Sequence, residues 1–337
     1  MKENDKIETC NNKNNDSSLL NKSYKEESFK SLKSVDIIKQ HEKQVNSISF
    51  SDDGNYLISS GNDNLICLYN LQTNQLVKKL YNKVYGVENA VFTHSNQAIL
   101  CSSSIDYRIM YWNLHSNEVM MSFKGHSENI IDIVVNPKND AFISICQDKT
   151  SRYWDLANRK CLGIIQECNY STFDNTGDVL ASVSSFKNPQ TNALCNYLNL
   201  YNTLDFIAGS FNIFKIEDND ATIKYFKFSN DGLTIINITD ENVIIIIHSF
   251  EGNMIKKIES NMIDSNLIYK FDISPDSNFI ITGSDNGSLY IWDIKESKLS
   301  ETVVYHPKPT KCVKFNPIYN IITSACENII IWQPKLY

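Results

Sequence analysis

Short apolar segments separated by polar turns make up most of the chain from Val35 onward. Apolar and polar residues tend to alternate within the segments, which favours β-strands, and Asp, Asn, Pro and Gly between them are typical of hairpin turns. Residues 50–58 and 271–280 show the pattern, since each stretch has a turn signal between two apolar runs. A parallel α/β fold would require long stretches of helical periodicity, and the sequence has none. It therefore predicts an all-β protein.

The pattern also recurs at a nearly constant interval. Each unit closes with an apolar strand that ends in an aromatic residue, often followed by Asn or Asp, as in Met110-Tyr111-Trp112-Asn113. Two weaker copies end at Tyr201 and Ile247. The closing positions are 69, 112, 154, 201, 247, 292 and 332, so successive units are 40 to 47 residues apart. Repeats of this length are typical of four-stranded propeller blades, so we predict seven blades over residues 34–337.

Residues 1–33 differ in composition from the repeats. They are rich in Asn, Lys, Ser, Asp and Glu with isolated apolar residues. Such a segment buries too little apolar surface to offset the entropy of ordering. We expect a disordered N-terminal tail that lacks the dense Lys/Arg cluster of a nuclear import signal.

Charge and cysteine content narrow the function classes. The net charge is −7 and only three of the 32 basic residues are Arg, so a surface for direct nucleic-acid binding is not expected. Nine Cys without a C-x-x-C pair, and no apolar N-terminal signal segment, favour a reducing intracellular compartment and no zinc site or other cofactor. Cys67, Cys101 and Cys146 are expected to be buried apolar side chains. The longest aliphatic run, residues 243–247, is too short to span a membrane.

The repeats resemble the WD-repeat family, whose seven-bladed propellers carry a structural tetrad of His, Ser or Thr, Asp and Trp. The third unit matches the whole tetrad, the first has Tyr in place of Trp, and the second lacks the His. In the sixth unit Thr282 and Trp292 match but Asn286 replaces the Asp. The predicted tetrad residues are His126, Ser144, Asp148 and Trp154; His41, Ser59, Asp63 and Tyr69; and Ser102, Asp106 and Trp112. The resemblance also implies that residues 35–38, which precede the first blade, supply the outer strand of the last blade and close the ring.

His126, Ser144 and Asp148 could also be interpreted as a hydrolytic triad, because a serine nucleophile needs a base and an orienting carboxylate. Fragments of the same set recur in other units at matching offsets, whereas a catalytic site occurs once. We therefore interpret these residues as structural and expect no catalytic residues.

Within the WD-repeat family, the chain looks like the WD-repeat subunit of the Set/COMPASS histone lysine methyltransferase. The segments that carry this likeness include residues 80–87, 123–127 and 323–326. The resemblance implies a nuclear, non-enzymatic scaffold, monomeric within hetero-complexes, that binds the N-terminal region of a SET-domain methyltransferase. It further implies that the chain joins a transcription-termination assembly containing protein phosphatase one, where its partner is a phosphatase regulatory scaffold. Contact with the phosphorylated tail of RNA polymerase II is also implied. Arg108, Arg152, Lys83 and Lys149 are the candidates for binding phosphate.

Residues next to the tetrad His and Asp lie at the rim of the central channel in WD-repeat propellers, and they are the candidate partner-facing residues. They are Gln44, Asn62, Tyr85, Ile105, Arg108, Asn129, Gln147, Arg152 and Asp285. A cytoplasmic scaffold or a ubiquitin-ligase substrate adaptor is the alternative function, and an enzyme is the third.

Overall fold

The computed structural model describes residues 24–30, 32–187, 190, 193–216, 221–259 and 268–334. Within them, 28 strands form seven four-stranded antiparallel sheets. Blades one to six each consist of four consecutive strands, from β2–β5 to β22–β25, and blade seven combines β26–β28 with β1. The structure confirms the predicted seven-bladed propeller, including the two weakly marked blades, four and five.

The strands are β1 Lys33–Ile38, β2 Val45–Phe50, β3 Tyr56–Gly61, β4 Leu65–Asn70, β5 Gln75–Tyr81, β6 Ala90–Phe92, β7 Ala98–Ser102, β8 Ile109–Asn113, β9 Glu118–Phe123, β10 Ile130–Val135, β11 Ala141–Cys146, β12 Ser151–Asp155, β13 Lys160–Ile165, β14 Tyr170–Phe173, β15 Val179–Lys187, β16 Leu194–Asn202, β17 Ser210–Ile216, β18 Ile223–Phe228, β19 Thr234–Thr239, β20 Ile244–His248, β21 Met254–Ile258, β22 Ile268–Ile273, β23 Phe279–Ser284, β24 Ser288–Asp293, β25 Lys298–Val304, β26 Cys312–Phe315, β27 Ile322–Ala325 and β28 Ile329–Gln333. One α-helix, α1 (Glu26–Lys30), and a 3₁₀ turn, Phe206–Ala208, are also present. In the described parts of the chain, no helix is both long and apolar enough to cross a membrane.

Strand β1 closes the ring, as predicted. It pairs antiparallel with β28, so that Ile37 lies opposite Ile330 and Ile38 opposite Ile329. Blades seven and one are also in direct contact, because Asn316 Nδ2 donates a hydrogen bond to the Gly54 carbonyl at 2.8 Å. Closure removes the unpaired strand edges that an open ring would expose.

Turns between the first and second strands repeat one arrangement of side chains. In blade one, Ser51 Oγ donates to Asp53 and accepts from the Tyr56 backbone N–H at 2.9 Å, while Gly54 adopts a φ of +67°. Ser229, Asp231 and Gly232 repeat the arrangement in blade five. Short polar side chains thus satisfy the turn's backbone groups, and glycine tolerates the left-handed conformation.

The core lies between adjacent blades rather than at one centre. A typical layer packs Trp154 against Phe123 and Phe142, with ring centroids 5.5 and 6.2 Å away. Cys67, Cys101 and Cys146 are buried free thiols, which confirms their predicted positions.

The N-terminal segment differs from the sequence-based prediction for residues 24–30 and 32–33. Helix α1 places Phe29 in the core with 1% exposure, at 4.8 Å between ring centroids from Phe279. Tyr24 is also buried, and its backbone N–H donates to Asp276 at 2.7 Å. Composition did not predict this ordered segment, because its structure depends on the packing of two aromatic side chains against blades that are distant in sequence. Residues 1–23 of the predicted tail lie outside the described residues.

Candidate partner-binding rim

Blade three brings the four tetrad residues together. Trp154 Nε1 donates to Ser144 Oγ at 2.8 Å, and this hydroxyl is hydrogen-bonded to His126 Nε2 at 2.6 Å. Asp148 accepts from Thr150 and from Ser127, and its nearer oxygen lies 3.7 Å from His126 Nδ1. Burial lowers the pKa of His126 to about 4, so the imidazole is neutral at neutral pH. The set links the loop before the blade to its second and third strands, β11 and β12.

Blade one forms a tighter version of the same network. His41 Nδ1 lies 3.1 Å from both oxygens of Asp63, and His41 Nε2 lies 2.7 Å from Ser59 Oγ. Tyr69 stands where blade three has Trp154, and its hydroxyl accepts a hydrogen bond from Ser59 Oγ at 3.4 Å. A Cβ on Gly61 would lie 2.9 Å from His41 Nδ1 and 3.0 Å from Asp63 Oδ1, so glycine permits the short His–Asp contact.

Blade seven contains a network that the sequence analysis missed. His306 Nε2 is hydrogen-bonded to Ser324 Oγ at 2.6 Å, which also accepts from Trp332 Nε1 at 2.7 Å. Cys326 Sγ occupies the carboxylate position, 3.2 Å from His306 Nδ1. The missed signal was spacing, since the His precedes the Ser by 18 residues in blades one, three and seven alike.

Blades two and six do not form the network. Ser102 accepts from the Asn89 backbone N–H, while Asp106 pairs with Arg108 rather than with a histidine. In blade six, Asn286 donates to the Tyr290 hydroxyl at 3.0 Å. Among the described residues, the indole nitrogens of Trp112 and Trp292 have no hydrogen-bond partner.

Neither hydrolysis nor metal binding fits the blade-three network. Ser144 is fully buried and already hydrogen-bonded to Trp154, so a substrate carbonyl has no access to it. Nδ1 of His126, Sγ of Cys146 and the Asp148 carboxylate lie within 4.8 Å of one another, a spacing that could hold a metal ion. However, Asp148 accepts several hydrogen bonds and Cys146 donates to the Glu128 carbonyl, while the Arg152 cation lies close enough to lower the pKa of His126 further.

Eight of the nine predicted partner-facing residues lie on loops that precede the first strand of a blade or join its second and third strands, and Arg152 lies on β12; this end of the blades is here called the rim. In blade two, the Arg108 guanidinium stacks on the Tyr85 ring, 4.3 Å from its centroid, and pairs with Asp106. Ser103 Oγ donates to the Tyr85 carbonyl, which joins the two loops. Ile105 is 58% exposed beside them.

Two further exposed side chains in this part of the chain, Tyr81 and Val84, were not among the predicted partner-facing residues. Val84 is 71% exposed and Tyr81 56% exposed, and the Lys83 ammonium lies 5.2 Å from the Tyr81 ring centroid. We call Tyr81, Val84, Tyr85, Ile105 and Arg108 the blade-two patch. Exposed aromatic and aliphatic side chains beside a stacked Arg form the type of surface on which binding energy concentrates.

The other predicted rim residues divide into two groups. Asn129 and Gln147 are exposed and line the mouth of the channel, and Asn62 is exposed and accepts from Asn46. Gln44, in contrast, donates to the carbonyls of Val45, Pro309 and Cys326, so its amide joins blades one and seven. Asp285 accepts from Ser284 at 3.3 Å.

Two rim arginines differ in their partners. The Arg108 guanidinium is engaged by Asp106 and Tyr85, whereas Arg152 has no carboxylate within ion-pair distance among the described residues, and its buried Nε lacks a hydrogen bond. Arg152 lies against Gly125, where an added Cβ would approach Nη1 to 2.8 Å.

Comparison with known proteins extends these observations. Residues 35–171 match the model of the NWD2 C-terminal beta-propeller, and residues 252–293 match the WD domain, G-beta repeat. WD repeat-containing protein 82 of Drosophila melanogaster is 31% identical over 90% of this chain and 95% of its own length. The Set1 complex component swd2 of Schizosaccharomyces pombe is 30% identical over 76% of this chain and 72% of its own length. The COMPASS component SWD2 of Saccharomyces cerevisiae is 28% identical over 89% of this chain and 94% of its own length.

Proposed function

The chain belongs to the WD-repeat family of β-propellers, and we propose that it is a non-catalytic scaffold subunit of a Set/COMPASS-type histone lysine methyltransferase complex. The observation that carries this proposal is similarity to COMPASS and Set1 complex components along most of the propeller. The scaffold acts in the nucleus, where it binds the N-terminal region of the SET-domain methyltransferase. We also propose membership of a transcription-termination complex through a phosphatase regulatory scaffold, which links chromatin modification to RNA polymerase II.

The blade-two patch is the proposed docking surface for the methyltransferase segment. Tyr81, Val84 and Ile105 present apolar area outward, while the Arg108–Tyr85 stack holds the loops in place. A rigid aromatic and aliphatic surface loses little side-chain entropy on binding, which favours an anchor for a partner peptide.

The test is affinity purification from nuclear extract of the chain tagged at its C-terminus, followed by mass spectrometry. We expect a SET-domain methyltransferase and a phosphatase-one scaffold with the wild-type chain. The double variant V84D/I105D should no longer recover the methyltransferase, because a carboxylate at each of the two substituted positions opposes burial of the patch against a partner. Ile207→Asp is the matched control, since Ile207 is 90% exposed on a turn between the third and fourth strands, away from the rim.

Two results would contradict the proposal. Recovery of ubiquitin-ligase subunits or cytoplasmic partners in place of chromatin proteins would favour the adaptor function. Equal recovery of the methyltransferase with V84D/I105D and with the Ile207 control would reject the patch while leaving the complex assignment intact.

Binding to the phosphorylated tail of RNA polymerase II is a separate proposal, and it is carried by Arg152. The guanidinium has no competing carboxylate among the described residues, whereas Arg108 is already paired. Arginine binds phosphate through charge-assisted hydrogen bonds, with Lys149 and Lys83 as additional cations.

Fluorescence anisotropy with a phosphorylated tail peptide at fixed salt tests this assignment. Arg152→Gln should weaken binding by about ten- to a hundredfold, the equivalent of one charge-assisted contact. Neutralising Arg108, Lys83 and Lys149 as well should abolish binding. Arg159→Gln, on a turn after the third strand of blade three, should leave the affinity unchanged. Unaltered binding by the fully neutralised variant would reject this surface.

A further inference from the structure

All seven blades contribute their first strand to one central channel. A cavity of about 250 Å³ is lined by residues of β2, β6, β10, β14, β18, β22 and β26. A second cavity of about 240 Å³, at the rim end, shares Asn46, Tyr225 and Lys270 with the first, so the two are consecutive sections of the channel. Three ammonium groups line the larger section, those of Lys227, Lys270 and Lys314.

Two of these three cations are paired with carboxylates. Lys270 lies 3.0 Å from Asp132, which also accepts from the Tyr170 hydroxyl at 2.6 Å. Lys227 pairs with Asp272, whose other oxygen accepts from the Phe315 backbone N–H at 2.8 Å. Both carboxylates also act electrostatically on the third lysine, Lys314, but neither forms an ion pair with it.

The third lysine is Lys314. In the described chain no carboxylate oxygen lies within 4 Å of its ammonium group, and no hydrogen-bond acceptor is in range. Burial lowers its pKa, and the neighbouring Lys227 lowers it further against the opposing effect of Asp272. An unpaired cation in a partly desolvated channel is unfavourable, and an anion bound beside it would remove that cost.

We infer that the channel beside Lys314 binds a small oxyanion of the phosphate class. Asp52, which also lines this section, lies 2.9 Å from His94 Nδ1, so among the described residues Lys314 is the lysine of the section that no carboxylate pairs. The cavity is large enough for a tetrahedral oxyanion with bound water. Lys314 supplies the direct contact, and the Lys227 and Lys270 pairs hold the channel walls in place. This site is separate from the blade-two patch, and the inference does not rest on the proposed function.

Thermal melting of the full chain in inorganic phosphate, against chloride at equal ionic strength, tests the site. With wild type, millimolar phosphate should raise Tm in a saturable way, and titration calorimetry should report one site. Lys314→Met should abolish both effects, Lys314→Arg should retain them, and Lys215→Met on the exposed face of β17 should behave as wild type. In chloride alone, Lys314→Met should melt at or above the wild-type temperature, because the unpaired charge is gone.

Three results would overturn the inference. The first is identical wild-type melting in phosphate and chloride. The second is an undiminished phosphate effect in Lys314→Met, which would reflect general salt stabilisation. The third is a lower Tm of Lys314→Met in chloride, which would show that the protein itself already satisfies the ammonium group. Lys314→Gln provides a second neutral variant in case the methionine side chain prevents folding.

Discussion

The ion pair between Lys270 and Asp132 connects opposite sides of the ring. Lys270 lies on β22 of blade six and Asp132 on β10 of blade three, yet the ammonium and carboxylate are 3.0 Å apart. The same ammonium donates to the Ile131 carbonyl at 3.1 Å. Burial by itself lowers the pKa of Lys270 and raises that of Asp132. The proximity of the two charges outweighs burial, so the pKa of Lys270 is raised and that of Asp132 is lowered. We predict that Lys270→Met strongly destabilises the propeller.

The expected magnitude follows from distance and burial. At 3.0 Å and an effective dielectric constant of about 20, the attraction is about 5–6 kcal/mol, part of which offsets desolvation of the two groups. Their side chains are only 22% and 15% exposed, so removing one partner leaves a buried charge and should cost about 3–5 kcal/mol. Replacing both groups, as in K270M/D132L, should recover part of this loss because no buried charge remains.

Urea unfolding followed by tryptophan fluorescence measures these differences. Lys138→Met is the matched control, because the Lys138–Asp178 pair is even shorter, at 2.6 Å, but its side chains are 57% and 47% exposed. That control should lose less than about 1 kcal/mol. If Lys270→Met and Lys138→Met changed the free energy of unfolding equally, burial would not decide the strength of the pair and the reasoning would be refuted.

Three further predictions concern closure, the tetrads and pH. Deleting residues 34–40 removes the partner of β28, so calorimetry should show a lower Tm for the whole domain, with about 1 kcal/mol lost per broken backbone hydrogen bond; an unchanged Tm would contradict closure by β1. Gly61→Ala should cost about 1–3 kcal/mol in urea unfolding, because the methyl group separates His41 from Asp63; no loss would show that the loop can adjust. Burial lowers the folded-state pKa of His126 and His306 to about 4, so stability should be full above the unfolded value near 6.5 and fall as pH drops toward 4. His126→Gln should flatten that pH profile, whereas His115→Gln, at an exposed position, should not; equal profiles would contradict the assignment.

Local features of the fold were predictable from the sequence. The closing strand positions, six of them aromatic, identified all seven blades because a hairpin's alternation and turn residues lie within a few positions of one another. The complete tetrad of blade three was found for the same reason, since its residues recur at constant offsets. The blade-seven network was also encoded, in the 18-residue spacing of His306 and Ser324, but Cys326 in place of the carboxylate concealed it.

Contacts between distant blades were decided only by the tertiary structure. No periodicity relates Lys270 to Asp132, and none indicates that Lys314 lacks a partner, because both follow from the diameter of the closed ring. The order of residues 24–30 likewise depends on the site that distant blades provide for Phe29. The sequence by itself determined the number of blades and their internal hydrogen bonding, since these are short-range properties. Which charges are paired, and which side chains form the blade-two patch, depends on how the seven sheets pack around the channel.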